Sequence, residues 1–150
     1  MNVVVAGPEV WDVVEKFVLA LLDELGDEGK DLGTLSPRVR ALWEKHPERM
    51  HAVIAYDDAG EPVGLLTLTE GIAIYANGPY GVIPEMYVVP SARSSGVGRR
   101  LIERAVEIGR ERGWSRIDVT APESPRWERT VRFYENCGFR FAGPKLKKPL

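Results

Sequence analysis

The spacing of apolar positions along the chain predicts four helices. Between Glu9 and Leu25 the apolar side chains recur at steps of three and four, which is the period of an amphipathic helix. The same period predicts a helix over Gly96–Arg112. Two Ser-Pro pairs, in which serine suits the cap and proline the first helical position, predict a helix from Ser36 to His46 and another from Ser124 to Gly138.

Short β-branched or alternating runs predict the strands. They are Asn2–Ala6, Met50–Tyr56, Pro62–Tyr75, Gly81–Val89, Ile117–Thr120 and Phe139–Ala142. Pro84 lies inside the fourth run, and because proline cannot donate to a ladder it predicts an edge or a bulge there. Three consecutive strands favour antiparallel pairing, whereas the strand–helix–strand unit from Gly81 to Ala121 favours a parallel crossover. The order of elements predicts a mixed α/β fold in one domain that spans residues 1–150.

Composition removes several classes of function. Lys and Arg together number 20 and Asp and Glu 22, and this net charge of −2 argues against a dedicated nucleic-acid binder. No apolar run approaches the ~18 residues that span a bilayer, and the N-terminus lacks the pattern of a signal peptide. The chain has one cysteine, Cys137, and its histidines, His46 and His51, lack metal-pair spacing. We therefore expect a cytoplasmic protein without a metal site, a disulfide, a nucleic-acid partner or a membrane partner.

The segment between the fourth predicted strand and the third long helix has the composition of a phosphate-binding loop. It consists of Arg93, Ser94, Ser95, Gly96, Val97, Gly98 and Arg99. The first turn of a helix leaves backbone N–H groups without partners, and glycine lets a ligand approach them closely. The dinucleotide fingerprint fails because Leu101 stands where its third glycine belongs. The pattern favours a phosphate or pyrophosphate ligand, and the alternative is a tight strand-to-helix turn that binds nothing.

Two motifs in this chain resemble those of one known family. Arg93-x-x-Gly96-x-Gly98 resembles the pyrophosphate motif of the GNAT superfamily of N-acetyltransferases, and the segment from Arg132 to Phe139 resembles that family's F-Y-E-x-x-G-F sequence. The resemblance implies a GNAT-like fold, with antiparallel N-terminal strands and a parallel pair splayed around the cofactor. It implies acetyl-CoA as the cofactor, with its diphosphate on the seven loop residues and its pantetheine arm along Met86, Tyr87 and Val88.

The resemblance also implies direct attack of a primary amine on the thioester in a ternary complex. Tyr134 matches the family tyrosine that protonates the leaving thiolate, and a phenol with a pKa near ~10 carries its proton at pH 7. Glu85 is the candidate base, acting directly or through water, and the alternative for it is a solvated or paired strand carboxylate. One position departs from the family pattern, because Trp127 stands where relatives often carry an asparagine that contacts the pantetheine arm.

The acceptor is the least determined part of the prediction. In relatives the first two helices wall the acceptor side, and that region here carries Asp23, Glu24, Asp27, Glu28 and Asp31. An acidic rim attracts a cationic amine, so we favour a small-molecule acceptor, although a solvated helix end accounts for the same residues. The alternatives are a protein lysine or N-terminal acetyltransferase and a non-catalytic acyl-CoA-binding module. Because little sequence follows Phe139 to complete a final strand pair, a homodimer is expected.

Overall fold

The computed structural model describes residues 1–26, 36–121 and 127–150, and its contacts divide the chain into two compact units, Met1–Asp118 and Val119–Leu150. The described helices are α1 Trp11–Leu25, α2 Ser36–Lys45, α3 Val97–Glu111 and α4 Glu128–Asn136. The described strands are β1 Asn2–Ala6, β2 Met50–Tyr56, β3 Pro62–Ala73, β4 Gly78–Ile83, β5 Met86–Val88 and β6 Ile117–Val119. Within these ranges the helices are too short or too polar to span a bilayer.

The sheet is mixed, as the order of elements predicts. It runs β1-β2-β3-β4-β6, and β5 pairs with β3 beyond the end of β4. The first four strands pair antiparallel. The Ser115 N–H donates to Pro79 O at 3.4 Å and the Gly81 N–H donates to Arg116 O at 3.0 Å. Residue numbers therefore increase in the same direction on β4 and on the segment that enters β6. This is the parallel pairing, and the predicted α/β fold with a mixed sheet flanked by helices is confirmed.

The two faces of the sheet pack against different helices. On one face, β2 and β3 contribute Ala52, Ile54 and Leu65 to a buried cluster whose helical members are Trp11, Val14, Phe17 and Trp43. On the other face, α3 buries Val97, Leu101, Ile102, Ala105 and Ile108. Successive side chains of a strand point to opposite faces, so the odd-numbered residues of β3 face α1 and α2. The even-numbered residues of β3 therefore face α3, as the contact of Gly64 with Val97 illustrates.

A β-bulge separates β4 from β5. Thr69 pairs with Val82 and Leu66 pairs with Met86, so two residues of β3 lie opposite the three residues from Ile83 to Glu85. The predicted strand Gly81–Val89 is accordingly two strands, and the interruption falls at Pro84 and Glu85, as the proline predicted. Because an extra residue reverses the alternation, Glu85 and Tyr87 share the α1–α2 face with Thr67 and Leu65.

Helix α4 ends in a Schellman motif. Gly138 has φ 92°, its N–H donates to Glu135 O at 3.0 Å, and the Phe139 N–H donates to Tyr134 O at 3.0 Å. The ring of Phe139 packs against that of Tyr134 with the centroids 5.6 Å apart, which is the apolar contact that accompanies this motif. The helix end therefore fixes the surroundings of the Tyr134 ring within the C-terminal unit.

Three predicted boundaries differ in the structure. The predicted strand Phe139–Ala142 is wrong, because the Phe139 N–H completes the end of α4 and Phe141 is 85% exposed instead of packed in a ladder. The predicted strand Pro62–Tyr75 ends at Ala73, where a turn begins. The first helix begins at Trp11, after a 3₁₀ turn over Pro8–Val10. The predicted start of the last helix, at Ser124, lies outside the described residues.

Candidate active site

The backbone of β5 has one edge bonded to β3 and one edge facing away from it. The Thr67 N–H donates to Glu85 O and the Val89 N–H donates to Val63 O, both at 3.0 Å. In an antiparallel ladder the bonded residues alternate, so the backbone groups of Tyr87 also face β3. The backbone groups of Met86 and Val88 point to the opposite edge. Of the three residues predicted to contact the pantetheine arm, Met86 and Val88 therefore have the orientation that strand-like pairing requires, whereas the Tyr87 ring packs 5.6 Å from that of Phe17.

The loop between β5 and α3 is held in a left-handed turn. A 3₁₀ turn over Pro90–Ala92 follows the strand, Ser94 has φ 63°, and the Ser95 hydroxyl donates to Ala92 O. Gly96 then adopts φ 91° and ψ 0° at the N-cap of α3. Apart from Gly96 itself and its two chain neighbours, no described residue comes within 4 Å of the place where a Cβ on Gly96 would lie. The backbone conformation thus favours glycine here, and among the described residues the space beside Gly96 is open.

A second glycine sets the position of this helix start. A Cβ on Gly64 of β3 would lie 2.8 Å from Val97 Cγ1 and 3.1 Å from Leu101 Cδ1. Gly64 is also the residue opposite Val88 in the ladder. The first turn of α3 therefore rests directly on the backbone of β3, next to the strand that leads into the loop. This role of Gly64 was not predicted from the sequence, although a glycine inside a strand pattern signals close backbone approach.

The side chain of Arg93 turns back onto the protein. Its Nε donates to Val88 O at 2.9 Å, its terminal nitrogen pairs with Glu24 Oε1 at 2.6 Å, and its guanidinium carbon lies 5.5 Å from the centre of the Tyr87 ring. One residue thus ties the end of β5, the loop and the last turn of α1 together. Glu24 belongs to the predicted acidic rim, and its charge is matched here by Arg93, while Asp27, Glu28 and Asp31 lie outside the described residues.

Glu85, the candidate base, occupies the bulge and is half-buried. Its carboxylate accepts a hydrogen bond from the hydroxyl of Thr67, and its own N–H donates to Thr67 Oγ1 at 3.1 Å. Burial raises the pKa of Glu85 above its ordinary value, and the hydrogen bond from Thr67 opposes that rise. A carboxyl whose pKa is raised toward neutrality has the property expected of a general base. Among the described residues, the Glu85 carboxylate is hydrogen-bonded to a hydroxyl and not paired with a cation.

Tyr134, the candidate acid, lies on α4 in the C-terminal unit. It is 9% exposed, and its ring contacts those of Phe133 and Phe139. Burial, with a smaller effect of Cys137, raises the pKa of Tyr134 to about 12. The phenol therefore carries its proton at neutral pH and can donate it. Trp127, which departs from the family pattern, stands at the N-cap of the same helix.

Two other features of the described residues bear on the site. A cleft of about 340 Å³ lies between α1 and α2, and its lining contains none of the predicted catalytic or cofactor residues; it is formed by Trp11, Asp12, Glu15, Pro37, Arg40, Ala41 and Glu44. Its charges are mixed, with Arg40 and Glu44 paired at 2.9 Å. No three His, Cys, Asp or Glu side chains of the described residues gather where they could hold a metal ion.

Comparison with known proteins shows the family of this chain. The sequence model of the Acetyltransferase (GNAT) family matches residues 18–139, and the chain belongs to this family. The IAA acetyltransferase of Azospirillum brasilense is 36% identical over 74 residues, which are 49% of this chain and 46% of that protein. The match therefore spans about half the length of that curated relative.

Solved structures share the fold at low sequence identity. An aminoglycoside acetyltransferase from an uncultured soil metagenomic sample has a TM-score of 0.79 at 23% identity, covering 100% of this chain and 99% of that one. A GCN5-related N-acetyltransferase from Ralstonia eutropha has a TM-score of 0.82 at 19% identity, covering 99% and 97%. A ribosomal-protein-alanine N-acetyltransferase from Brucella melitensis has a TM-score of 0.72 at 17% identity, covering 100% of both. At these identities the likeness concerns the fold.

Proposed function

We propose that residues 1–150 form one acetyl-CoA-dependent N-acetyltransferase domain, which transfers an acetyl group to the primary amine of a small molecule in a ternary complex. The observation that carries this proposal is the unit from β5 to α3, in which an outward-facing strand edge leads into a glycine-capped helix start. The space beside Gly96 is compatible with a ligand, and it is shared by other left-handed turn glycines such as Gly113, so it is the strand edge next to it that supports the proposal. Membership of the acetyltransferase family supports acetyl transfer as the use of that space.

The residues present suit coenzyme A. The first N–H groups of α3, on Val97, Gly98 and Arg99, are donors for a diphosphate, and the helix dipole adds favourable potential. The backbone groups of Met86 and Val88 point to the edge where the amides of a pantetheine arm would pair. When bound, acetyl-CoA supplies the activated acetyl group as a thioester. Ser94 and Ser95 shape the loop, and Arg93 contributes charge only to the extent that it leaves Glu24.

Glu85 is the proposed base. An ammonium acceptor with a pKa near ~10.4 must lose a proton before it attacks, at a cost of roughly 4–5 kcal/mol at pH 7. A half-buried carboxyl whose pKa is raised accepts that proton better than an ordinary glutamate, directly or through one water. Tyr134 is the proposed acid, because its phenol is protonated at the pH of the reaction and the sulfur of the leaving thiolate needs a hydrogen-bond donor.

The experiment measures binding and turnover separately. Calorimetry with the purified full chain tests for acetyl-CoA binding, and thiol release is then followed with a panel of aminoglycosides, polyamines, amino-acid amides, IAA and peptides with free N-termini. The first and fourth members reflect the names of two similar proteins. We expect binding, and release with at least one small amine. Release with peptides alone would replace the small-molecule acceptor by a protein acceptor, and binding without release would replace the enzyme by an acyl-CoA-binding module.

A further inference from the structure

Thr67 is a fully enclosed hydroxyl in the middle of an apolar strand. It is 1% exposed, and its neighbours along β3, Leu65, Leu66 and Leu68, are fully buried. Placing a hydroxyl in such surroundings is unfavourable unless it makes hydrogen bonds, and valine would fit the same strand position. The hydrogen bonds of Thr67 therefore indicate what the hydroxyl contributes.

Within the described residues, all three side-chain hydrogen bonds of Thr67 go to a single residue across the bulge, Glu85. Thr67 Oγ1 accepts from the N–H of Glu85 at 3.1 Å and donates to the Glu85 carboxylate. The Thr67 N–H in turn donates to Glu85 O at 3.0 Å. The backbone and the carboxylate of Glu85 are thus fixed by one threonine, at the place where the extra residue of the bulge would otherwise leave the strand without regular ladder bonds.

We propose that Thr67 is the positioning residue of the base: its hydroxyl holds the Glu85 carboxylate on the α1–α2 face and keeps it ionised. The proposal rests on the proposed role of Glu85. Orientation follows from the geometry, because a carboxylate that accepts this bond has one oxygen committed to Thr67 and the other left for the proton of the amine or of a water. Ionisation follows because a hydrogen bond donated to a carboxylate stabilises the charged form.

The effect of Thr67 on the pKa of Glu85 can be separated from the effect of burial. In the described part of the chain, two causes act on its pKa: burial, which raises it, and the bond from Thr67, which lowers it. Loss of the hydroxyl removes the second cause and leaves the first. The sign is therefore fixed, and Thr67→Val must raise the pKa of Glu85 further and reduce the ionised fraction at a given acidic pH.

The test compares three variants of the full chain. Thr67→Val removes the hydroxyl at nearly constant shape, Thr67→Ser retains it, and Thr69→Val makes the same chemical change two residues along the same face of β3. The pKa of Glu85 is read directly from the pH titration of its carboxyl ¹³C resonance without acetyl-CoA, with Glu85→Gln providing the assignment. The acidic limb of kcat/KM is then measured with the acceptor found in the panel.

We expect both the resonance and the acidic limb to move to higher pH in Thr67→Val, with a roughly ten- to hundredfold loss of kcat/KM on that limb. Thr67→Ser and Thr69→Val should titrate as the parent protein does. If Thr67→Val does not fold, Thr67→Ala takes its place in the same comparison. An unmoved resonance in the hydroxyl-free variant, with Glu85→Gln inactive, overturns the inference and leaves the proposed function standing. If Glu85→Gln retains the parental pH profile of kcat/KM, Glu85 is not the base, and the inference about Thr67 is overturned with it.

Discussion

Gly64 lies directly beneath Val97, and only the absence of a side chain permits it, since a Cβ would come 2.8 Å from Val97 Cγ1. Val97 opens the helix whose first N–H groups are the proposed diphosphate donors. The position of that helix start therefore depends on a residue of the central sheet that lies outside the proposed diphosphate loop.

Gly64→Ala should weaken acetyl-CoA binding by roughly tenfold, because α3 must shift by several tenths of an ångström and its donors move with it. Calorimetry measures the affinity and thermal unfolding measures the stability. Gly71→Ala is the matched control, because Gly71 lies on the same strand as Gly64 but away from the loop. Its Cβ would lie 2.8 Å from the Tyr80 ring. Equal losses of affinity in the two variants would show that crowding of β3, and not a shift in the position of α3, is responsible.

Gly96→Ala should reduce acetyl-CoA affinity by more than its loss of folding stability explains. Gly96 and Gly113 flank α3 with φ 91° and 75°, and apart from its chain neighbours neither has a described residue within 4 Å of its ideal Cβ. Alanine at either position should destabilise the fold by roughly 1–2 kcal/mol, because both backbones are left-handed. Only at Gly96 would the methyl group also occupy the proposed diphosphate space. Equal acetyl-CoA affinity in Gly96→Ala and Gly113→Ala would place the diphosphate elsewhere.

Tyr134→Phe should lower kcat about 10²-fold while acetyl-CoA affinity stays within about twofold, because the ring packing remains and the donor is lost. Tyr56→Phe, which removes a phenolic hydroxyl at the end of β2, is the control. Since the pKa of Tyr134 is raised to about 12, the phenol keeps its proton through alkaline assay pH. A basic limb near neutral pH that disappears in Tyr134→Phe would contradict this protonation state.

Glu24→Gln should strengthen acetyl-CoA binding by a few-fold at low salt. The carboxylate now holds the Arg93 guanidinium at 2.6 Å, and its removal frees a cation beside the proposed diphosphate site. The pair is partly exposed, so stability should change by less than ~1 kcal/mol and the effect should fade as salt is added. Asp23→Asn removes the same charge one residue away on α1. An equal gain in both variants would mean that net charge, and not release of Arg93, is the cause.

Local spacing was enough to predict much of the fold. Apolar residues at steps of three and four predicted α1 and α3, because that period depends only on residues close in sequence. Pro84 predicted an edge or a bulge for the same reason, and the structure has the bulge. The strand predicted at Phe139–Ala142 failed for a reason that is equally local. The turn at Gly138 brings the Phe139 N–H to the Tyr134 carbonyl at the end of α4. The alternating residues that follow therefore form no ladder with another strand.

The support of the candidate site could not be predicted in the same way. Thr67 and Glu85 are 18 residues apart, and their contact depends on the register of β3 with β5, which one extra residue changes. The contact of Glu24 with Arg93 joins residues 69 apart. Pairings of this kind arise from how the elements pack, so sequence patterns indicated which residues carry chemistry but not which residues hold them in place.

The extra residue in the bulge determines which face of the sheet each side chain of β5 lies on. Even-numbered side chains of β4 face α1 and α2, whereas on β5 the odd-numbered ones do, so Glu85, counted forward from β4, lies on that side because three residues stand where two would continue the ladder. Deleting one residue between Val82 and Glu85 would remove the bulge and leave the glutamate opposite Thr67, on the α1–α2 face, whereas deleting Glu85 itself would place Pro84 there. When sequences of this family are aligned, the residue to compare with Glu85 is therefore the one that precedes the Met86 position, and not the one counted forward from β4.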